Sequence, residues 1–204
     1  MTREFEKINA HQFAHFFDSQ ESKPDASRQE IHRAWRLKIL PPQEFESLNE
    51  YEKLVYFAGW GLIAPTNHNT VPEKFRIRKE REIDLLLDRS LVLPESDRHG
   101  RQATVSIGCV AENMLQAAQA YGLTASLNFP QVGLEDTKPL AKDSETSPLT
   151  HVATIKFNGQ INEDVNAQML NAMLNRKVER GVYDVKVKLP QSLQDVILQT
   201  PKDK

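Results

Sequence analysis

The sequence contains little cysteine, little glycine and no long apolar run. Among its 204 residues there is one cysteine, Cys109, so no disulfide can form within the chain. Only 8 residues are glycine, about half the usual share, which argues against a fold organised around glycine-rich phosphate loops. No apolar stretch reaches the ~20 residues that a membrane-spanning helix needs. These absences leave open an enzyme, a binding module or part of a larger protein.

An excess of charge of one sign is also missing. The chain carries 26 basic and 28 acidic residues, for a formal net charge of −2. Such a balance provides no global positive field for nucleic acid or anionic lipid. The segment Met1–Glu6 is charged and has no signal-peptide apolar stretch. We therefore expect a cytoplasmic setting, with neither nucleic acid nor a membrane as partner.

Apolar periodicity predicts several helices and four short strands. Helices are predicted over about 5–17 and 29–40, from Pro42 to the stop at Pro65, over about 104–121, from about Asn162, and after Pro190. Strands are predicted as a hairpin at 75–78 and 83–87, and at about 123–129 and 151–157. This order fits an α+β fold, an antiparallel sheet flanked by long helices, better than a regular βαβ alternation.

The same pattern suggests three parts. Residues 1–42 would form an N-terminal helical extension, and residues 43–160 an α+β core. Residues 161–204 would form C-terminal helices.

A polar segment follows the predicted helix that Pro65 ends. Thr66 to Thr70 are five consecutive side chains with hydrogen-bond donors or acceptors. Such a cluster can bind a polar ring system or a ribityl chain through several directed hydrogen bonds. The alternative is a loop whose Asn and Thr side chains cap the local backbone.

A second candidate is the pair Arg176 and Arg180. The two arginines are one helical turn apart and can share a face. Two converging guanidinium groups suit a phosphate or a carboxylate. The alternative is a solvated helix C-terminus, where basic side chains complement the helix dipole.

Other polar groups are predicted to be structural. Asp88-Arg89 and the segment Asp97–Arg101 are expected to form surface ion pairs. Cys109 has no nearby histidine and is expected to be a buried thiol rather than a nucleophile. His11 and His15 lack a third ligand, so no metal site is expected.

Taken together, these features resemble the nitroreductase superfamily of FMN-dependent oxidoreductases. The run Gly61–Ile77 is similar to the Ala-Pro-Ser, Asn, Gln-Pro-Trp signature of that family. His68-Asn69-Thr70 is typical of the dormancy-associated, Acg-type branch, whose members carry two nitroreductase-like halves. The similarity covers about residues 50–195 and includes Ser106–Cys109, Asn113–Leu115, Arg176, Arg180, Gly181, Tyr183 and Asp184.

The resemblance implies a flavoprotein whose FMN lies between two nitroreductase-like units, supplied by a homodimer or by a second domain. By position, Arg176 and Arg180 would hold the FMN phosphate and ribityl chain. The isoalloxazine face would be lined from the opposing unit by Pro65, Thr66, Asn67 and Asn69. NAD(P)H would donate hydride, and a nitro compound, a quinone or a similar small molecule would accept the electrons.

Departures from the family pattern leave an alternative open. Val71 and Glu73 stand where the family has Gln and Trp, and Val178 stands where it has Ser. The alternative is a degenerate nitroreductase-like domain that binds or sequesters flavin, or mediates protein contacts, without catalysis. An unrelated α+β scaffold is the third hypothesis. Because Lys204 follows soon after the arginine motif, we expect a complete flavin site to need a second chain or further sequence.

Overall fold

An antiparallel sheet organises the chain. The computed structural model describes residues 6–7, 37–79, 81–141, 144, 146–160, 164–176 and 188–199. The strands are β1 (Glu6–Lys7), β2 (Glu73–Arg78), β3 (Glu82–Asp88), β4 (Thr124–Asn128) and β5 (Leu149–Asn158). Their spatial order is β1-β2-β3-β5-β4, and every neighbouring pair is antiparallel. The two-residue β1 forms one edge and β4 the other.

Helices pack against this sheet. They are α1 (Pro42–Ser47), α2 (Glu50–Leu62), α3 (Arg101–Ala120), α4 (Ala167–Leu174) and α5 (Gln191–Gln199). The long α3 contacts α2, α4 and strands β2 to β5. An α+β class with an antiparallel sheet is therefore confirmed. Within the described ranges, no helix combines the length and the apolarity needed to cross a membrane.

The core lies between the helices and one face of the sheet. Phe75 and Ile77 alternate along β2 with half-buried arginines, so strand periodicity turns the apolar side chains inward. They meet α2 and α3, where Trp60 and Met114 are fully buried. Burying one side chain of this size stabilises the fold by about 1.5–3 kcal/mol. The prediction of a hairpin is thus confirmed.

Two buried tyrosines attach the chain before α1 to this core. The hydroxyl oxygens of Tyr56 and Tyr121 lie 2.8 Å apart. Tyr56 donates to the Lys38 carbonyl at 2.8 Å, and the single Tyr121 proton can go either to the Tyr56 oxygen or to the Leu40 carbonyl, which lies 2.9 Å away. Burial raises the pKa of both hydroxyls, so both stay protonated donors. These bonds use backbone groups that a helix would need internally, and Leu37 to Leu40 are not helical.

Several predicted boundaries are therefore wrong. The helix predicted over 29–40 is absent at residues 37–40, and Glu6–Lys7 of the helix predicted over 5–17 pairs with β2 as a strand. The remaining residues of those two helices lie outside the described ones. The next-to-last helix, α4, begins at Ala167 rather than near Asn162, whereas α5 follows Pro190 as expected.

The helix predicted from Pro42 to Pro65 is two helices. Asn49 interrupts it, because its side chain accepts a hydrogen bond from the Glu52 amide at 3.0 Å. The Glu52 carboxylate accepts one from the Asn49 amide at 2.9 Å, which completes a capping box. The Asn-x-x-Glu spacing signals this start in the sequence, but the continuous apolar stripe outweighed it.

The three-part division of the chain stays a prediction. Leu37 and Leu170 belong to the same buried core as the sheet and the central helices. Much of 1–42 and of 161–204 lies outside the described residues.

Candidate functional site

A shallow cavity of about 460 Å³ lies where the loop after α2 meets the first half of α3. The loop contributes Pro65, Thr66 and Asn67, and the helix contributes Arg101, Gln102, Val105, Ser106 and Cys109. The helical residues recur at steps of three and four, so they share one face of α3. The cavity therefore combines a polar loop with the mixed surface of one helix.

The loop begins where α2 can no longer continue. Pro65 has no amide hydrogen and restricts the residue before it, so the helix ends at Leu62. The chain then forms a tight turn, in which the Asn69 amide donates to the Thr66 carbonyl and the Thr70 amide to the Asn67 carbonyl, each at 3.2 Å. The predicted polar turn after Pro65 is confirmed as a turn.

Hydrogen bonds to α3 fix Asn67. Its amide N–H donates to the Ser106 hydroxyl at 2.9 Å, and its side-chain amide donates to the Gln102 side-chain oxygen. Ser106 in turn donates to the Gln102 carbonyl at 3.0 Å. Thr70 closes the turn by donating to the Asn67 carbonyl at 3.2 Å. The rim of the cavity is thus attached to α3 through Asn67.

The loop adopts an unfavourable backbone conformation. His68, Asn69 and Val71 have φ angles of 51°, 55° and 49°, in the left-handed region. Asparagine tolerates this region, but a β-branched valine does not. Strain of this kind costs about 1–3 kcal/mol per residue and is concentrated at functional sites.

Thr66 has an unsatisfied group at the cavity. Its hydroxyl oxygen is buried and has no hydrogen-bond partner among the described residues. A buried hydroxyl without a partner is costly. Because the oxygen is not exposed, a ligand with a polar edge would reach it only if the loop shifted.

Arg176 contacts the beginning of the same loop. Its guanidinium Nη2 donates to the Ile63 carbonyl at 3.0 Å, across a sequence separation of 113 residues. That carbonyl follows the last turn of α2, so the bond also serves as a helix C-terminal cap. Arg176 of the second sequence candidate therefore contacts the end of α2, three residues before the polar segment of the first candidate begins.

The predicted site residues fall into three groups. Pro65, Thr66 and Asn67 line the cavity, whereas Asn69 is exposed. Arg176 contacts the loop, and Arg180 lies outside the described residues. Their proposed roles in binding flavin stay predictions.

Sequence reasoning missed the contribution of α3. Cys109 is half-buried and lines the cavity, so its prediction as a buried thiol is wrong. Gln102 and Ser106 were not selected, although their spacing of four residues on an amphipathic helix is a detectable signal. That signal cannot show which loop the helix face would meet.

Asp97 was also misassigned. It was expected in a surface ion pair, but it is buried and accepts hydrogen bonds from the amides of Gln102 and Ala103 at 3.1 and 2.8 Å. It therefore caps α3, which begins at Arg101, three residues earlier than expected. Among the described residues, no group of three or more His, Cys, Asp or Glu side chains could hold a metal ion.

Comparison with known proteins gives distant relatives. No family model matches the chain. The uncharacterized proteins MT3212 and Rv3127 of Mycobacterium tuberculosis, strains CDC 1551 and H37Rv, are each 30% identical to it over 125 residues. The alignment covers 59% of this chain and 33% of each relative. The chain thus spans about a third of the length of the curated relatives it matches.

Proposed function

We propose that the chain is a nitroreductase-like unit of an FMN-dependent oxidoreductase. It would pass hydride from NAD(P)H through the flavin to a nitro compound, a quinone or a similar acceptor. The main support is the contact between Arg176 and the Ile63 carbonyl, because it connects two motifs of the family resemblance, the run Gly61–Ile77 and the arginine motif, within one unit.

The chemistry of the cavity fits such a ligand. An arginine carries five N–H donors, and the described contacts of Arg176 use the Nη2 group on the Ile63 carbonyl. The unpartnered Thr66 hydroxyl offers a further donor or acceptor to a polar ring edge. The depression is shallow, which agrees with a flavin covered on its other side by a second unit.

Bound FMN would supply the hydride-transfer chemistry. The chain's own residues would position it. Arg176 of one unit would neutralise phosphate through charge-assisted hydrogen bonds, and Thr66 of the opposing unit would direct the ring edge. Asn67, held by Gln102 and Ser106, would keep the loop in place. Pro65 and Val105 would shield one side of the ligand from water.

We propose that the second unit is another copy of this chain or a further nitroreductase-like domain. The greater length of the two mycobacterial relatives is compatible with the latter. A cytoplasmic setting, where NAD(P)H is available, remains part of this proposal.

Titration of FMN fluorescence tests the binding site. The wild type should bind FMN at micromolar concentration, and Thr66→Val and Arg176→Gln should each weaken binding about tenfold or more. Lys53→Gln is the matched control, because Lys53 lies in the first turn of α2, at the end remote from the loop. Absence of binding, or equal binding by all variants, would reject the proposed site.

A non-catalytic flavin-binding domain is the second candidate. It is favoured by Glu73, which replaces the family's Trp and is buried in the protein with neither carboxylate oxygen hydrogen-bonded among the described residues. The two candidates differ in turnover of the FMN-loaded protein with NAD(P)H and nitroaromatic or quinone acceptors. Acceptor-dependent oxidation of NAD(P)H supports the oxidoreductase, whereas FMN binding without oxidation supports the second candidate.

A further inference from the structure

Glu73 places a carboxyl group on the apolar face of the sheet. It is the first residue of β2, in the same alternating row as the buried Phe75 and Ile77. Its cross-strand neighbour is Leu87, and those of Phe75 and Ile77 are also apolar. Glu73 is only 2% exposed, so an acidic side chain occupies a position that the pattern assigns to an apolar one.

The Glu73 carboxyl is poorly compensated among the described residues. Neither of its oxygens has a hydrogen-bond partner there. Burial raises the pKa of Glu73, opposed by its own backbone amide and by Lys74. The protonated form is thus the one that the folded core accommodates, because a buried unpaired carboxylate would be far more costly.

Charged groups on the elements around β2 lie away from this position. Lys74 is on the opposite face of the sheet, where its ammonium lies 4.0 Å from Asp88. Asp84 is on that face too, 2.8 Å from the Arg78 guanidinium. Arg76 is on the same face, 3.8 Å from Asp84. Strand β1 pairs with Arg76 and Ile77, at the far end of β2. The remaining charged residues of the neighbouring β3, α3 and α2 are Glu82, the exposed Arg101 and Glu112, and Glu50, Glu52 and Lys53 in the first turn of α2 near the hairpin turn.

The strained loop ends immediately before Glu73. Val71, with a φ of 49°, is partly exposed, and Pro72 is joined to β3 by a hydrogen bond from the Asp88 amide at 2.8 Å. Leaving the left-handed region would lower the local free energy of Val71. Release of this strain would therefore offset part of the cost of opening the loop.

We propose that loss of the Glu73 proton opens the segment Ala64–Pro72, and that access to the adjacent cavity therefore depends on pH. On deprotonation the proton passes to water, and the carboxylate reaches solvent when the start of β2 separates from β3. Because Pro65, Thr66 and Asn67 line the cavity, the same opening changes its rim. The switch does not depend on which ligand the cavity binds.

Amide hydrogen exchange measured by mass spectrometry tests this switch. Peptides covering Ala64–Lys74 are followed in the wild type at about pH 5.5, 7 and 8.5, with each rate divided by the intrinsic rate. The equilibrium constant for opening should increase by up to about tenfold per pH unit, until the pH is high enough to ionise the carboxyl in the closed form as well. Peptides from α3 should remain more protected than Ala64–Lys74 at each pH, because they exchange through larger openings. Protection of Ala64–Lys74 that is independent of pH would overturn the proposal.

Variants assign the effect to Glu73. Glu73→Gln should abolish the pH trend, and Glu73→Met provides a second variant suited to an apolar face if the Gln protein does not fold. Glu82→Gln is the matched control, because Glu82 lies on the opposite face of the same hairpin near Lys156. It should keep the wild-type trend. A trend that persists in a Glu73 variant, or disappears in the control, would also overturn the proposal.

Discussion

At the residue scale, several energetically unfavourable features lie in the loop between α2 and β2 and at the first residue of β2. Three residues of this loop, His68, Asn69 and Val71, are left-handed without being glycine. The Thr66 hydroxyl and the Glu73 carboxyl are buried without partners among the described residues. Local rules fail together at functional sites more often than elsewhere, so this segment is where we expect function.

Replacing Val71 should stabilise the protein. Asparagine tolerates the left-handed region, so Val71→Asn should raise the free energy of unfolding by about 1 kcal/mol. Urea unfolding measures the difference. Val105→Asn is the control, because Val105 is an exposed helical residue and the two side chains have similar helix propensity. Equal effects of the two substitutions would contradict the strain assigned to Val71.

Glu73 should make global stability depend on pH. An unfolded glutamate has a pKa of about 4.3, and burial raises the folded value. The folded state therefore holds a proton that the unfolded state has lost, and this contribution to stability declines as pH rises from about 4.3 through the folded pKa. Chemical unfolding at about pH 5 and pH 8 should show that the advantage of Glu73→Met over the wild type grows with pH. A constant or shrinking advantage would contradict this account.

The left-handed conformation of Val71 and the burial of Glu73 were not predictable from the sequence. Polar side chains after Pro65 indicated a turn, but residue identity alone does not show that Val71 is left-handed. The alternation of Phe75 and Ile77 is visible in the sequence, and extending it backward places Glu73 on the inner face. A glutamate at the start of a strand is nevertheless ordinarily taken as solvated, so its burial depends on the tertiary structure.

At the element scale, the two longest helices are well determined by local signals. Asn49 and Glu52 begin α2, and Pro65 follows its end. Asp97 caps the first turn of α3 from outside the helix, and Gly100 supplies the left-handed residue that precedes it. Apolar periodicity predicted both helices. Their starts were missed because capping depends on single side chains rather than on periodicity.

Replacement by alanine should have opposite effects on stability at Gly100, which precedes α3, and at Gly108, which lies within it. Gly100 has a φ of 67°, and an added Cβ would lie 1.8 Å from the Thr137 carbonyl oxygen. Gly100→Ala should therefore destabilise the protein by at least about 2 kcal/mol. Gly108 has open space around it, so Gly108→Ala should stabilise the exposed helix by about 0.5–1 kcal/mol. Thermal unfolding of the two variants measures this contrast, and a tolerated Gly100→Ala would contradict the close contact with Thr137.

At the scale of the whole molecule, the α+β class was predictable from the sequence, but the spatial order of the strands was not. Alternating and helical periodicities gave the hairpin and the α+β class. They could not place β5 between β3 and β4, because strand order depends on pairings far apart in sequence. The contact of Arg176 with Ile63 also joins residues far apart in sequence. The family resemblance linked their two motifs, but no local sequence pattern predicts the contact.

The shallow cavity also has a consequence at this scale. Its lining comes from one loop and one helix, and exposed side chains such as Val105 form part of its wall. A second unit would bury that wall and cover the other side of a planar ligand. Flavin binding should therefore be coupled to association with a second copy or a further domain.

Sedimentation velocity with detection at the flavin absorbance tests this central claim most directly. FMN is mixed with the wild-type chain and, in parallel, with Arg176→Gln. The account predicts that flavin sediments with a dimer of the wild type, and that the variant carries much less flavin at the same concentrations. Flavin that remains unsedimented with the wild type, or that sediments with the monomer, would contradict it.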